Sequence, residues 1–310
     1  MNAPIMIRTC SIWRSLEVVG DTPTLLILEA CWLGARKFDE LRQRTGLLKA
    51  LLSDRLKRLV EAGVLAKHRY TDSPPRYDYV LTEKARDSYW ISLMMLRWES
   101  LWNHDPGKIE VVLTHKPCGH EFTPEPACGH CHGRIDATQV EWREGPGVGL
   151  MAPLYSRRRQ QRDSVSHTSL MDQSAQLMGD RWASLIMRSI FTNINRFDDI
   201  RQDTAIATNI LTERLTWLQE IGVIRQHAYP SNPPRHEYRV TRKGVDYYPI
   251  LLMLMRWGDR YFVSPEGPPV VLDHKGCGHA LDPQVVCSHC GATVVADDVS
   301  FEIREGQAAA

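Results

Sequence analysis

At 310 residues the chain has room for two domains of ordinary size, and 43% apolar with 24% charged residues is a globular composition that excludes a disordered or fibrous protein. A net charge of +1 excludes a strong overall pull toward DNA or an anionic membrane, so any nucleic-acid function must rest on local patches. Residues 1–10 lack a charged region followed by a long apolar run, and the richest apolar segments end at Arg97 and Arg256, far short of the ~20 residues of a membrane span; we expect a cytoplasmic chain with reduced thiols.

Residues 12–19 and 23–33 have amphipathic helical spacing. Phe38–Thr45 and 49–62 then read as two short helices joined by a tight turn. The second carries Leu52, Leu56 and Leu59 on one face, with Ser53, Asp54, Lys57 and Arg58 pointing the other way, and Gly63 stops it. Residues 64–70 and 77–82 alternate like strands around a turn-rich connection. A helix-turn-helix followed by a two-stranded wing is the arrangement that offers a helix to a major groove. Residues 83–102 return to helix, with Tyr89, Leu93, Leu96, Met94 and Met95 making an apolar face too wide for one small domain to bury.

Matching residues recur at one constant offset of 159: Gly20-Asp21 with Gly179-Asp180, Phe38 with Phe197, Gly63 with Gly222, Trp98 with Trp257, Cys118 with Cys277. The chain is a tandem duplication of one unit, with helices expected near 170–178, 182–191, 197–203, 208–221 and 243–262 and wing strands at 223–229 and 236–241. Between the copies, Gly145-Pro-Gly-Val-Gly149 and the run Arg157-Arg-Arg-Gln-Gln-Arg162 read as a linker, either a solvated connector or a phosphate-tracking arm. The division is a winged domain at 1–106, a ribbon at 107–143, a linker at 144–166, a second winged domain at 167–265 and a second ribbon at 266–306. The expected fold class is α+β, mainly α with small β wings.

Gly-Asp-Arg-Trp182, Arg196-Phe-Asp-Asp-Ile, Ile206-Ala-Thr-Asn-Ile-Leu-Thr-Glu-Arg-Leu215, Pro233-Pro-Arg-His-Glu-Tyr-Arg-Val-Thr241 and Arg256-Trp-Gly resemble the HxlR-type winged helix-turn-helix transcription regulators. The likeness covers both copies up to the cysteine clusters, the first copy being the more divergent. It implies regulators that dimerise through terminal helices and place one recognition helix per subunit in double-stranded DNA. With two copies in one chain, the pair is expected within the molecule, as an intrachain pseudo-dimer, with further homodimerisation left open.

The expected recognition surface is Lys49, Ser53 and Lys57 in copy one, and Thr208, Thr212 and Thr216 with Asn209 in copy two. Asn reads adenine bidentately and Lys reaches guanine acceptors or phosphate, so the halves should prefer different half-sites and the operator should be an imperfect palindrome. Copy one should supply more of the electrostatic grip and Thr208 and Asn209 more of the base discrimination. The repeated Pro-Pro-Arg sets Arg76 and Arg235 on a projecting loop within reach of phosphate or the minor groove. Arg55 and Arg214 follow the outward face less well and are expected to be structural or phosphate-contacting.

Six of the eight cysteines fall in two clusters, which in a reducing compartment points to metal before disulfides. His115, Cys118, Cys128 and Cys131, and again His274, Cys277, Cys287 and Cys290, form pairs of ligands three apart, read as two Cys3His ribbons, one within each copy, each holding a structural Zn2+. The alternative is a metal-free hairpin with packed thiols. His120, His130, His279 and His289 lie beside or between ligands, as alternatives or supporting groups. Cys10, ahead of the first helix, is similar to the N-terminal Cys that some members of the family use to sense oxidants, although copy two has Ser169 there; Cys31 is read as core. No phosphate loop, helical metalloprotease pattern or nucleophile elbow is present, so no enzyme is expected. The rival reading is a protein-interaction adaptor that no longer reads DNA, suggested by the near-neutral charge and by Glu213 and Glu220 in copy two.

Overall fold

The repeat is visible element by element in the computed structural model, which describes residues 6–73, 75–104, 109–152, 170–229 and 235–304. Copy one runs β1 (Ile7–Arg8), α1 (Ser11–Val19), α2 (Thr22–Trp32), α3 (Phe38–Thr45), α4 (Lys49–Glu61), β2 (Leu65–Asp72), β3 (Pro75–Leu81), α5 (Glu83–Asp87), α6 (Tyr89–Trp102), β4 (Glu110–His115), β5 (His120–Glu121), β6 (Pro124–Cys128), β7 (Val140–Glu144) and β8 (Leu150–Met151). Copy two runs α7 (Asp172–Gly179), α8 (Arg181–Phe191), α9 (Phe197–Thr204), α10 (Thr208–Glu220), β9 (Ile224–Tyr229), β10 (Arg235–Val240), α11 (Arg242–Val245), α12 (Tyr248–Tyr261), β11 (Val270–His274), β12 (His279–Ala280), β13 (Pro283–Cys287) and β14 (Val299–Arg304). No helix among the described residues is long and apolar enough to cross a membrane.

Each helix-turn-helix forms for local reasons. Asp21 caps α2 by accepting from the Thr24 N–H, and Asp180 caps α8 by accepting from Ala183. The turn after α3 needs a left-handed residue, which Gly46 supplies at φ 64°; at the same place in copy two Ala205 adopts φ 52° at a cost of roughly 1 kcal/mol. Leu52, Leu56 and Leu59 of α4, and Leu211, Leu215 and Leu218 of α10, are buried. The wings are two-stranded antiparallel hairpins, β2 with β3 and β9 with β10.

The stretch expected as one long helix is divided in both copies, α5 from α6 and α11 from α12. In copy two Pro249, in the first turn of α12, cannot continue a helix from the preceding residues. In copy one Ser88 makes the break, its N–H and hydroxyl both reaching the Ala85 carbonyl.

The wide apolar faces are covered across the copies. Helix α1 of copy one lies on α12 of copy two, α6 of copy one on α7 of copy two, and α6 on α12. Gly258 permits the first contact, since a Cβ there would stand 2.3 Å from the Ser11 carbonyl oxygen. The contact is reciprocal in detail: Trp98 donates its indole N–H to the Lys243 carbonyl at 3.0 Å, and Trp257, its counterpart, donates to the Lys84 carbonyl at 2.9 Å. One buried apolar cluster runs through both copies.

The ribbons depart from expectation. Strand β4 pairs with β14, β7 with β11 and β6 with β13, each pair joining one copy to the other. The two ribbons are therefore one interleaved body and not a separate module behind each winged domain. The linker also starts later than expected. Gly145 and Gly147 donate to the carbonyls of Pro269 and Pro268, and β8 pairs with β1. A Cβ on Gly147 would lie 2.1 Å from the Gly267 oxygen, so this glycine serves close backbone approach, not flexibility. The arginine run at 157–162 lies outside the described residues.

Candidate nucleic-acid interface and metal centres

Helices α4 and α10 present the polar faces that their spacing predicts. Lys49, Ser53, Lys57, Thr208, Asn209, Thr212 and Thr216 are all exposed. Lys57 has Glu61 one turn on at 3.7 Å, an exposed pair of little strength in water. The Thr212 hydroxyl donates to the Thr208 carbonyl at 3.0 Å, leaving Asn209 and Thr216 the freer polar groups of that face.

Arg55 and Arg214 take the structural role. Arg55 Nε meets Asp21 at 3.0 Å, and Arg214, buried, pairs with Asp180. Each of these aspartates thus caps one helix and grips the recognition helix packed against it. Arg76 and Arg235 are exposed but belong to wing strands β3 and β10, Arg235 being the first residue of its strand. The sequence reading passed over the wings' own cations: Lys67, His68 and Arg69 of β2 and Arg225 and Arg239 of the second wing are exposed too. Arg239 is partly neutralised by Glu237 at 2.5 Å.

All eight expected metal-ligating residues come together, in groups other than the expected ones. One cluster is His115, Cys118, Cys287 and Cys290; the other is Cys128, Cys131, His274 and Cys277, and within each the donor atoms lie within 4.8 Å of one another. The reading of one closed site per copy is corrected: each cluster takes its first knuckle from one copy and its second from the other. Spacing cannot separate these possibilities, because the two copies carry interchangeable knuckles; the crossed strands do.

Cys290 Sγ stands 3.4 Å from His115 Nδ1, and Cys131 Sγ and Cys277 Sγ stand 3.4 and 3.5 Å from His274 Nδ1. His115 and His274 are buried, and the His115 ring packs edge-on against Phe122. The Ala292 backbone N–H is the largest cause holding the Cys290 thiol below its ordinary range, whereas burial pushes Cys287 up. Three thiols and one imidazole closing on a point suit a borderline divalent ion in tetrahedral coordination. His120 and His289 pair beside the first cluster with ring centroids 3.7 Å apart, and His130 and His279 stack beside the second at 4.2 Å. These four rings stand outside both donor groups.

Cys10 is buried and caps α1, accepting from the Trp13 N–H. Cys31 is core, its thiol pushed up to about 12 by burial.

The HxlR-like helix-turn-helix family model matches residues 18–108 and 177–266. An uncharacterized HTH-type transcriptional regulator of Mycobacterium tuberculosis is 40% identical over 131 residues, 42% of this chain and 83% of that protein. Among solved structures, a candidate transcription factor of Pseudomonas aeruginosa is 30% identical, covering 44% of this chain and 92% of its own, with a TM-score of 0.33. The reduced form of the transcriptional regulator YodB from Bacillus subtilis is 26% identical, covering 29% and 90%, with a TM-score of 0.27. With both copies matched over more than half of its length, this chain belongs to the HxlR-like helix-turn-helix family.

Proposed function

We propose that the chain is a cytoplasmic transcription regulator that binds double-stranded DNA as an intrachain pseudo-dimer and reads an imperfect palindrome. The observation that carries this reading is the reciprocal seating of the copies, α1 on α12 and α6 on α7, with Trp98 and Trp257 exchanging equivalent hydrogen bonds while α4 and α10 keep their polar faces exposed. The proposed DNA contacts are Lys49, Ser53, Lys57 and Arg76 from copy one and Thr208, Asn209, Thr212, Thr216 and Arg235 from copy two. Because the outward side chains differ, the two half-sites differ as well.

In the same reading each Cys3His cluster holds a structural Zn2+ with no open coordination position, and His115, Cys118, Cys287 and Cys290, with Cys128, Cys131, His274 and Cys277, are its ligands. The ion would tie winged domains within 1–106 and 167–265 to one shared ribbon body. Cys10 is the candidate redox group, its thiol capping the helix that seats one copy on the other.

Selection of bound fragments from genomic DNA with the purified chain, at moderate salt, tests the proposal. Enrichment of a two-part motif with unequal halves is the expected result. No enriched motif overturns it in favour of an adaptor, the reading that the exposed Glu213 and Glu220 of α10 would then support.

A further inference from the structure

Where α1 of copy one meets α8 and α12 of copy two and the crossed strands β7 and β11, the chain forms a partly open cleft. Its walls are apolar, with Phe191, Tyr248, Leu251, Met255, Trp142 and Leu272 prominent among them. One end is cationic. Arg8 and Arg188 both line the cleft, and both pair with the single carboxylate of Asp203, Arg8 Nε at 2.8 Å. Two guanidiniums against one carboxylate leave a surplus positive charge, and Arg188, although buried, has an Nε–H without a hydrogen-bond acceptor among the described residues. Cys10, at the same end, is a further hydrogen-bond neighbour of Arg188, and a buried guanidinium gains from each anion that reaches it.

The twin place in copy one shows that this end is not a by-product of the repeat. At the offset of 159 residues, Glu29 stands where Arg188 does and Arg44 where Asp203 does. Glu29 accepts from the Leu170 N–H at 3.3 Å, so in the twin place a carboxylate replaces the guanidinium and caps the backbone instead. Among the described residues this paired-arginine end occurs once, a difference that a symmetric dimer of identical subunits cannot have.

We infer that this cleft binds an amphipathic monocarboxylate, a ring or short aliphatic chain lying on Trp142, Leu251 and Met255 with its carboxylate on Arg8 and Arg188. The apolar walls suit a ring or short chain, and a planar guanidinium fork matches a carboxylate bidentately. Asp203 belongs to α9, the first helix of copy two's helix-turn-helix, so the bound anion meets the element that precedes a recognition helix. The site itself stands whether or not the chain reads DNA.

Calorimetric titration of the full chain with 4-butylbenzoate and with octanoate, against the matched neutral alcohols, tests this. Expected are one carboxylate per chain and an affinity at least about tenfold above that of the alcohol. Arg8→Gln keeps the Arg188–Asp203 pair and should weaken the carboxylate about tenfold while leaving the alcohol unchanged. Ala137→Trp, which fills the rim, should abolish binding of both, whereas Ala296→Trp at the twin place should leave it intact; unchanged melting temperatures establish that the variants are folded. No binding of either carboxylate up to about 1 mM, equal affinity for acid and alcohol, or binding that survives Ala137→Trp overturns the inference.

Discussion

Asp21 and Asp180 do two things with one carboxylate, capping a helix and gripping the recognition helix through Arg55 and Arg214. That explains why these arginines, although cationic, are poor candidates for base reading. The outward groups are a different matter. Lys57→Ala should weaken DNA binding and lower the salt slope by about one, because one released counterion is lost; filter binding across a salt series measures it. Asn209→Ala should instead cost about 1–3 kcal/mol at one half-site and relax its sequence preference without changing the slope. A third residue acts through pH. Burial is the largest cause raising the Asp259 carboxyl to about 6, with the Ser11 hydroxyl and Arg14 of α1 working against it. A carboxyl that holds its proton more tightly folded than unfolded favours the fold while protonated, so its contribution is lost as pH rises from about 4 through about 6. Asp259→Asn should therefore stabilise the chain at pH 7 by on the order of 2 kcal/mol and flatten that part of the curve, as read by urea unfolding at several pH values. Exposure of the recognition residues was legible from helical period alone; the burial of Asp259 was not, because it comes from α1 of the other copy.

At the level of elements, the knuckles decide how the copies are joined. Their donors were readable because ligands three apart can turn onto one point in any ribbon, but their grouping depends on which strands pair. Crossed grouping makes a sharp expectation about metal content. Cys118→Ser combined with Cys290→Ser removes two ligands of one cluster and should leave one zinc per chain, since the other four donors are untouched. Cys118→Ser with Cys128→Ser, two changes in one copy, should remove both ions. Closed sites within each copy would give the reverse pattern, and metal analysis of freshly reduced protein distinguishes them. The division of the long helices was legible at Pro249 and hidden at Ser88, where no single residue forbids a continuous helix and the turn is held by hydrogen bonds to Ala85.

Across the whole molecule, the copies are joined less by their connecting segment than by the surfaces they share: exchanged terminal helices, exchanged tryptophan hydrogen bonds and crossed strands. A protease site placed between residues 153 and 169 and cleaved should therefore yield two fragments that still elute together. Adding a strong chelator should lower their melting temperature, because structural zinc contributes on the order of 10 kcal/mol when its site is closed. Separation on cleavage alone would overturn this account. The sequence by itself determined the duplication, the winged helix-turn-helix in each copy, the outward faces of α4 and α10 and the eight cysteine and histidine residues that cluster, because each rests on local periodicity, spacing or repetition. Only the tertiary structure decided which knuckle meets which, that the glycine segment at 145–149 packs instead of spanning, and that Arg8, Arg188 and Asp203 meet at one cleft. Those features join residues more than 100 positions apart, where neither period nor spacing carries information and the burial of apolar faces against each other makes the choice.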